Sequence, residues 1–538
     1  MQPVDGHQNR FNEKESSIFT AIFLSIIVIG ILVFFTIVAV KYIDPRSYLK
    51  QIFGNKAYEV TKPSKNLPTL TEPRGTIDIA QIVNLRDMLQ NKEFEQLNAV
   101  LKEYQNCFKE DQTDEYKVYD AYRTFYLTDP LYEKFFEKWI NNSPDKCQPY
   151  LALAHYYCAK GWESRGYKFK KDTSEERFEG MRFYFSKAEE NLKTALKINP
   201  DLMVGYNILI NIYNATGNDA AEDKTIESAI ALFPHSFLVR YAGAWAKQPR
   251  WGGSYKDIEE IAKEAERYSN INPELTALYG LIYYDRGRIY RSNKRYTKAI
   301  DLFTEALTFG DHWSIYYERA KIYHFDLKEY DSALEDINRC IELRPVIDEI
   351  YRMRSRIYFA KGDYSYSLED LHTAELLSPG EPSTTKWKEW ASKKLLNKGY
   401  KLLKTDIDAA FENYNLSIEF DDDNFESYYQ RGFAFNSIED FKSALSDFNR
   451  AIEINPHHFE SYRMVDYMLA RDKQWDTIIE YWNRFLELEP DHARAYLERA
   501  GTYYHNKKFE RALDDLGKSC DLGNKEACKR YESLKTKL

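Results

Sequence analysis

One spacing constrains this chain more than anything in its composition. Ala299, Ala333 and Ser367 stand 34 residues apart, and after a gap of 43 to Ala410 the same step runs through Ala444, Ile478 and Ala512. Four residues after each lies a large side chain: Phe303, Ile337, Leu371, Tyr414, Phe448, Trp482 and Leu516. A small residue followed one helical turn later by a bulky one, at a fixed long period, describes stacked helical hairpins. The small side chain lets two helices approach, and the bulky one fills the space between them. Pro345, Pro379, Pro456 and Pro490 each follow the small position by twelve residues, where one helix must stop and the next begin.

The pattern resembles the tetratricopeptide repeat. Residues 425–458 carry Tyr428, Gly432, Phe435, Ala444, Phe448, Ala451 and Pro456 in register. Residues 493–526 give Tyr496, Ala500, Tyr503, Ala512 and Leu516, with Asn524 where proline would stand, and residues 280–312 give Tyr283, Gly287, Tyr290, Ala299, Phe303 and Ala306. The resemblance implies an all-α chain whose residues 280–538 form a right-handed α-solenoid of about seven hairpins, with an irregular connection at 380–400 around Trp387 and Trp390. It also implies a concave groove lined by the first helix of each hairpin, which takes a protein or peptide partner.

If that geometry carries over, the inward residues include Tyr284, Arg288, Arg291, Tyr317, Lys321, Arg352 and Arg356, then Tyr429, Phe433, Asn436, Arg463, Tyr467 and Tyr504. The first group is basic with aromatics between, which suits an acidic peptide or a terminal carboxylate. The same residues also read as a solvated helical face whose charges pair with neighbouring acids. Both readings stay open at this point.

The chain of 538 residues is too long for one globular core, a limit that does not apply to a solenoid. Its 75 basic and 84 acidic residues are mixed along the sequence, so no basic stripe marks it for nucleic acid. In a two-helix repeat its 43 tyrosines are packing residues first.

Residues 1–17 form a polar tail. Ile18–Val40 is a run of 23 residues without a charge, which at about 1.5 Å rise per residue covers a hydrocarbon core of roughly 30 Å. The following Lys41-Tyr42-Ile43-Asp44 offers no small-residue cleavage site, so the run reads as an uncleaved, single-pass transmembrane helix. Arg10 and Lys14 precede it, whereas Lys41, Arg46, Lys50 and Lys56 follow, and the positive-inside rule then places the body on the cytoplasmic side of the membrane. Prolines at 45, 63, 68 and 73 make residues 41–79 a tether.

Residues 80–279 keep helical periodicity with a degraded repeat. They contain Gly161-Trp162-Glu163-Ser164-Arg165-Gly166, Thr173–Met181 and Arg250-Trp251-Gly252-Gly253-Ser254. In that order these motifs resemble a bacterial domain of unknown function found beside tetratricopeptide repeats, a resemblance that implies no activity. Two readings stay open for its motifs. Gly252-Gly253 and the Ser254/Asp257 capping pair make a turn that docks Trp251 and starts a helix, or Trp162, Arg165, Arg250 and Trp251 line a pocket of a small-molecule-binding or enzymatic module.

Catalytic signatures are missing. There is no HExxH, phosphate loop, GxGxxG after a strand or GxSxG elbow, so the chain is expected not to be an enzyme and to need no cofactor. No metal site is expected: His457 and His458 are neighbours that point apart, and Asp421-Asp422-Asp423-Asn424 lacks the rest of a calcium loop. The C-x7-C of Cys520 and Cys528 resembles Sel1-like repeats, some exported members of which bridge it, and a bridge implies an oxidising compartment. By themselves the two cysteines read as small residues at helix-packing positions, and that reading is taken here. Lys525–Leu538 reads as a polar cap against end-to-end stacking. The expectation is a membrane-anchored scaffold of undetermined oligomeric state.

Overall fold

The computed structural model describes residues 75–166 and 172–538. The expected anchor at Ile18–Val40 and the tether up to residue 74 lie outside the described residues. Among the described residues there is no strand, and no helix is long and apolar enough to cross a membrane.

The regular part begins with α11 (Gly280–Ser292) and α12 (Tyr296–Leu307). Hairpins follow as α13 (Trp313–Lys321) with α14 (Tyr330–Leu343), α15 (Asp348–Lys361) with α16 (Tyr364–Leu377), and α17 (Pro382–Leu402) with α18 (Ile407–Phe420). Then come α19 (Phe425–Ser437) with α20 (Phe441–Ile454), α21 (Phe459–Arg471) with α22 (Trp475–Leu488), and α23 (Ala493–His505) with α24 (Phe509–Asp521). A single helix, α25 (Lys525–Lys535), closes the array. The 34-residue period therefore yields seven hairpins, with the four prolines in the turns between them.

Within each hairpin the small and large residues mesh as the spacing predicts. A Cβ on Gly432 would stand 3.0 Å from the Phe448 ring, and one on Gly287 would stand 2.6 Å from Phe303. Ala299, Ala333, Ala410, Ala444 and Ala512 are buried. Ser367 takes the same place because its hydroxyl donates to the Ser355 carbonyl at 2.8 Å. The turn inside the hairpins is equally periodic: Lys294, Lys328, Gly362, Glu439, Lys473 and Lys507 all have positive φ. Five of the six are not glycine, and an L side chain in that region costs about 1–2 kcal/mol.

A second ladder was not anticipated. Arg354, Arg431 and Arg499 each grip the aspartate 16 residues later, Asp370, Asp447 and Asp515, through two bonds of 2.7–2.8 Å. The remaining guanidinium nitrogen of each donates to the asparagine 16 residues earlier, Asn338, Asn415 or Asn483. One planar fork thus ties both helices of a hairpin to the preceding hairpin. Arg319 pairs with Asp336, 17 residues on, because a π-helical stretch at Ile322–Leu327 adds one residue to the first helix.

Earlier helices are α1 (Ile79–Gln90), α2 (Phe94–Glu110), α3 (Glu115–Arg123), α4 (Leu131–Asn142), α5 (Gln148–Arg165), α6 (Glu175–Ile198), α7 (Met203–Thr216), α8 (Asp219–Leu232), α9 (Phe237–Ala246) and α10 (Tyr255–Ala265), then a 3-10 stretch Pro273–Tyr279. The turn before α10 forms as the sequence predicts: Gly252 has φ 104° and Ser254 and Asp257 make a reciprocal capping box. The irregular connection at 380–400 resolves into one long helix, α17, 21 residues against the 13 or 14 of most others.

Helices α1–α3 bond to turns far along the chain. Gln105 reaches the carbonyl of Asp201 (2.7 Å), and Gln112 accepts from the His235 backbone N–H (3.1 Å). Glu115 accepts from Phe237 N–H (2.9 Å), Leu238 N–H (3.1 Å) and the Ser236 hydroxyl, so it caps α9 from more than a hundred residues away. Burial and the nearby Glu274 carboxylate nevertheless push its carboxyl up to about 8. Tyr116 donates to Glu274, Asp120 pairs with Arg344, Arg123 with Asp348 (3.4 Å), and Arg86 donates to the Leu377 carbonyl (2.8 Å). These contacts form a clasp along the turns from Asp201 to Leu377.

Candidate partner-binding surfaces

In each hairpin the first-helix residue at the close approach to the second helix is small: Gly287, Ala320, Ser355, Gly399, Gly432 and Ala500, with Asp466 the exception. The residue after it forms its own series along the array: Arg288, Lys321, Arg356, Tyr400, Phe433, Tyr467 and Gly501. This series changes character halfway, and its two halves behave differently.

In the first half the charges are engaged inside the protein. Arg291 (3.2 Å) and Lys321 (2.8 Å) converge on Glu318, with Arg288 at 4.0 Å. Arg291 also meets Asp326 at 3.2 Å. These cations hold the buried Glu318 carboxyl below its ordinary value in spite of burial. Arg352 pairs with Asp348, which also receives Arg123 from α3. Burial raises the Tyr317 hydroxyl pKa well above its ordinary value, and the nearby Glu349 carboxylate raises it further. Tyr284 corrects the expectation for this face: it is 3 % exposed, packed between Trp245 and Phe303. Of the expected basic set, Arg356 alone has no ion pair among the described residues. It lies over Trp387 at 5.2 Å, and burial lowers its pKa.

The second half presents aromatic surface. Tyr400 is 63 % exposed, Phe433 39 % and Tyr467 52 %. Tyr429 packs against Phe433 at 5.9 Å and His458 at 4.9 Å. Asn436 is half-buried, and Arg463 is shared by Glu460 (2.7 Å) and Glu498 (3.4 Å). Tyr504 is exposed too. Asp466 occupies the small position because Trp482 donates its indole N–H to it at 2.7 Å, and burial pushes its carboxyl up to about 6.

A basic strip runs along α17, outside the residues that the repeat register picks out. Trp390, Lys393, Lys394, Asn397, Lys398 and Lys401 line one face of the helix, at spacings of three and four. Lys394 lies over Trp390, which stacks on Trp387. The signal was available in the Trp387/Trp390 pair and the lysine density after it, but the repeat template has no place for residues before a standard first helix.

The expected pocket of Trp162, Arg165, Arg250 and Trp251 is not assembled. Trp162 packs edge-on against Phe185, and Arg165 lies over Phe178. Arg250 instead pairs with the buried Asp285 and lies over Trp245. Trp251 lines a groove of about 1050 Å³ between α8 and α10 together with Asp219, Glu222, Asp223, Glu227, Asp257, Glu260 and Glu264, opposite in charge to the expected pocket. Among the described residues no group of three or more His, Cys, Asp or Glu could hold a metal ion. Cys520 and Cys528 are joined in a disulfide with Cα atoms 4.7 Å apart, which corrects the reading of them as packing residues only.

Models of the tetratricopeptide repeat match residues 281–309, 314–346, 425–458 and 479–525. The chain carries tetratricopeptide repeats. Similar solved structures include the repeat domain of P58(IPK), 16 % identical, covering 65 % of this chain and 92 % of that one at a TM-score of 0.22. The peptide complex of the TPR2AB domain of yeast Sti1 is 17 % identical over 42 % of this chain and 97 % of that one, TM-score 0.21. A repeat protein of Cytophaga hutchinsonii is 18 % identical over 46 % and 98 %, TM-score 0.25.

Proposed function

We propose that the chain is a membrane-anchored, non-enzymatic scaffold that captures a protein partner on the first-helix face of its repeats. The carrying observation is the series Arg356, Tyr400, Phe433 and Tyr467: a cation without an ion pair among the described residues, then three exposed aromatics 33 and 34 residues apart. Large aromatics exposed in a row at a regular period supply the rigid, low-entropy anchors that protein interfaces use. Arg356 and the α17 lysines add positive charge at the start of the row, which suits a partner segment acidic at one end and apolar along its length.

Anchoring rests on the uncharged run Ile18–Val40. The Cys520–Cys528 bridge favours an oxidising compartment for the body, against the side that the flanking charges indicate, because reducing cytosol does not keep such bonds. The body is therefore proposed to face away from the cytosol.

Capture of the partner from its native membrane, with the triple variant Tyr400→Ala/Phe433→Ala/Tyr467→Ala compared with the parent, tests the surface. Loss of capture with an unchanged helical spectrum is the expected result, and undiminished capture removes the proposal. A reporter active on one side only, fused after Leu538, tests the orientation. Activity on the cytosolic side would overturn it.

A further inference from the structure

The last hairpin breaks the aromatic series. Three consecutive hairpins place a large exposed ring after the small position, and the fourth has Gly501. A Cβ built on Gly501 meets no atom within 4 Å. A cleft of about 430 Å³ opens there between α23 and α25, within the usual size range of ligand sites. Leu497, Tyr504, Leu516 and Leu534 give it apolar lining.

The α25 side supplies charge. Lys529, Arg530 and Lys537 line the cleft together with the single carboxylate of Glu526, which leaves it net positive. Arg530 is held by Glu526 at 2.9 Å, whereas Lys529 and Lys537 have no ion-pair partner among the described residues. Lys529 lies in α25 and Lys537 two residues past its end, where backbone bonds from Thr536 to Glu532 and from Lys537 to Leu534 carry the helical path on, so the eight residues between them span about 12 Å at 1.5 Å per residue. A single carboxylate cannot serve both. Two carboxylates about four residues apart in an extended segment can, since each residue advances roughly 3.3 Å.

We propose that this cleft docks an extended segment of the partner in which one apolar side chain is flanked on both sides by acidic residues. The apolar side chain enters the space Gly501 leaves, and the two carboxylates face Lys529 and Lys537. This deepens the scaffold function above and rests on it. The wall that carries the lysines is tied to α24 by the Cys520–Cys528 bridge, so the cleft is shaped by a bond that reductant can open.

The probe is a fluorescein-labelled nonapeptide, Gly-Ser-Glu-Ser-Leu-Ser-Glu-Ser-Gly, titrated with the full chain and followed by anisotropy. Saturable binding is expected, at least tenfold weaker with Gly501→Tyr, which fills open space, and at least fivefold weaker when both peptide glutamates are glutamine. Lys529→Gln/Lys537→Gln should match that second loss, and Cys528→Ser should weaken binding without abolishing it. Equal affinity for Gly501→Tyr or for the glutamine peptide, or no saturable binding, overturns the cleft. Partner capture that survives Gly501→Tyr but is lost with the Tyr400, Phe433 and Tyr467 triple variant overturns the cleft alone. Capture indifferent to both overturns the scaffold surface as well.

Discussion

Two stretches of the same repeat have been put to opposite uses. In α11–α16 the first-helix face is basic, and apart from Arg356 its charges are absorbed by Glu318, Asp326 and Asp348. The clasp from α1–α3 reaches the same stretch, down to Leu377. In α17–α24 Tyr400, Phe433 and Tyr467 stand out to solvent. The hairpin packing is common to both, including the Arg–Asp–Asn ladder. A repeat therefore secures its fold with one set of positions and leaves its surface to another, and the surface is where the two halves part.

The largest effect should come from breaking the clasp. Arg344 is 5 % and Asp120 0 % exposed, and removing one leaves the other charge buried without its partner. Asp120→Ala is expected to cost about 3–5 kcal/mol, read by denaturant unfolding, with hydrogen exchange rising in residues 233–380 and unchanged beyond 425. Even acceleration along the whole array would deny that the halves are distinct.

The next test belongs to the open half and has the opposite sign. Burial raises the Asp466 carboxyl from its ordinary 3.8 to about 6, so its proton is held more tightly in the fold than in the unfolded chain. That contribution is full below about pH 4 and is lost as pH rises through 6. Asp466→Asn keeps an acceptor for Trp482 and does not titrate. It should exceed the parent in stability at pH 8 by up to about 3 kcal/mol and by clearly less at pH 5. A variant that is no more stable at pH 8 would mean that Asp466 is ionised at little cost.

The disulfide should matter only at the end of the array. Opening a loop this short in Cys528→Ser is expected to cost about 2 kcal/mol, confined to α25 and visible as faster exchange in 525–535. The smallest change concerns the inner turns shared by both halves. Lys473→Gly relieves a side chain at φ 56° and should raise stability by about 1 kcal/mol, while the same exchange at Lys294 in the clasped half should give a similar gain. Unequal gains would show that the clasp strains the hairpins it holds.

Period, hairpin count and core were legible in the sequence because they depend on contacts four residues apart or within one 34-residue unit. The Ala444/Phe448 pair states its own packing. The surface was half legible: Phe433 and Tyr467 fell where the register put them, yet Tyr284 is core because Trp245, from outside the regular repeats, covers it. The pocket expected from Trp162 and Arg250 failed for a related reason, since neighbouring motifs in a sequence need not share a neighbourhood.

By itself, then, the sequence determined an all-helical repeat array, its seven hairpins, the capped turn at Ser254 and the absence of the familiar catalytic motifs. Only the tertiary structure decided which charges are satisfied, that Cys520 meets Cys528, and that α1–α3 bond to turns as distant as Leu377. A periodic pattern encodes short-range packing many times over and so survives substitution. A contact such as Arg344 with Asp120 joins positions 224 residues apart once, with no period to announce it, and exists only when the hairpins between them have stacked.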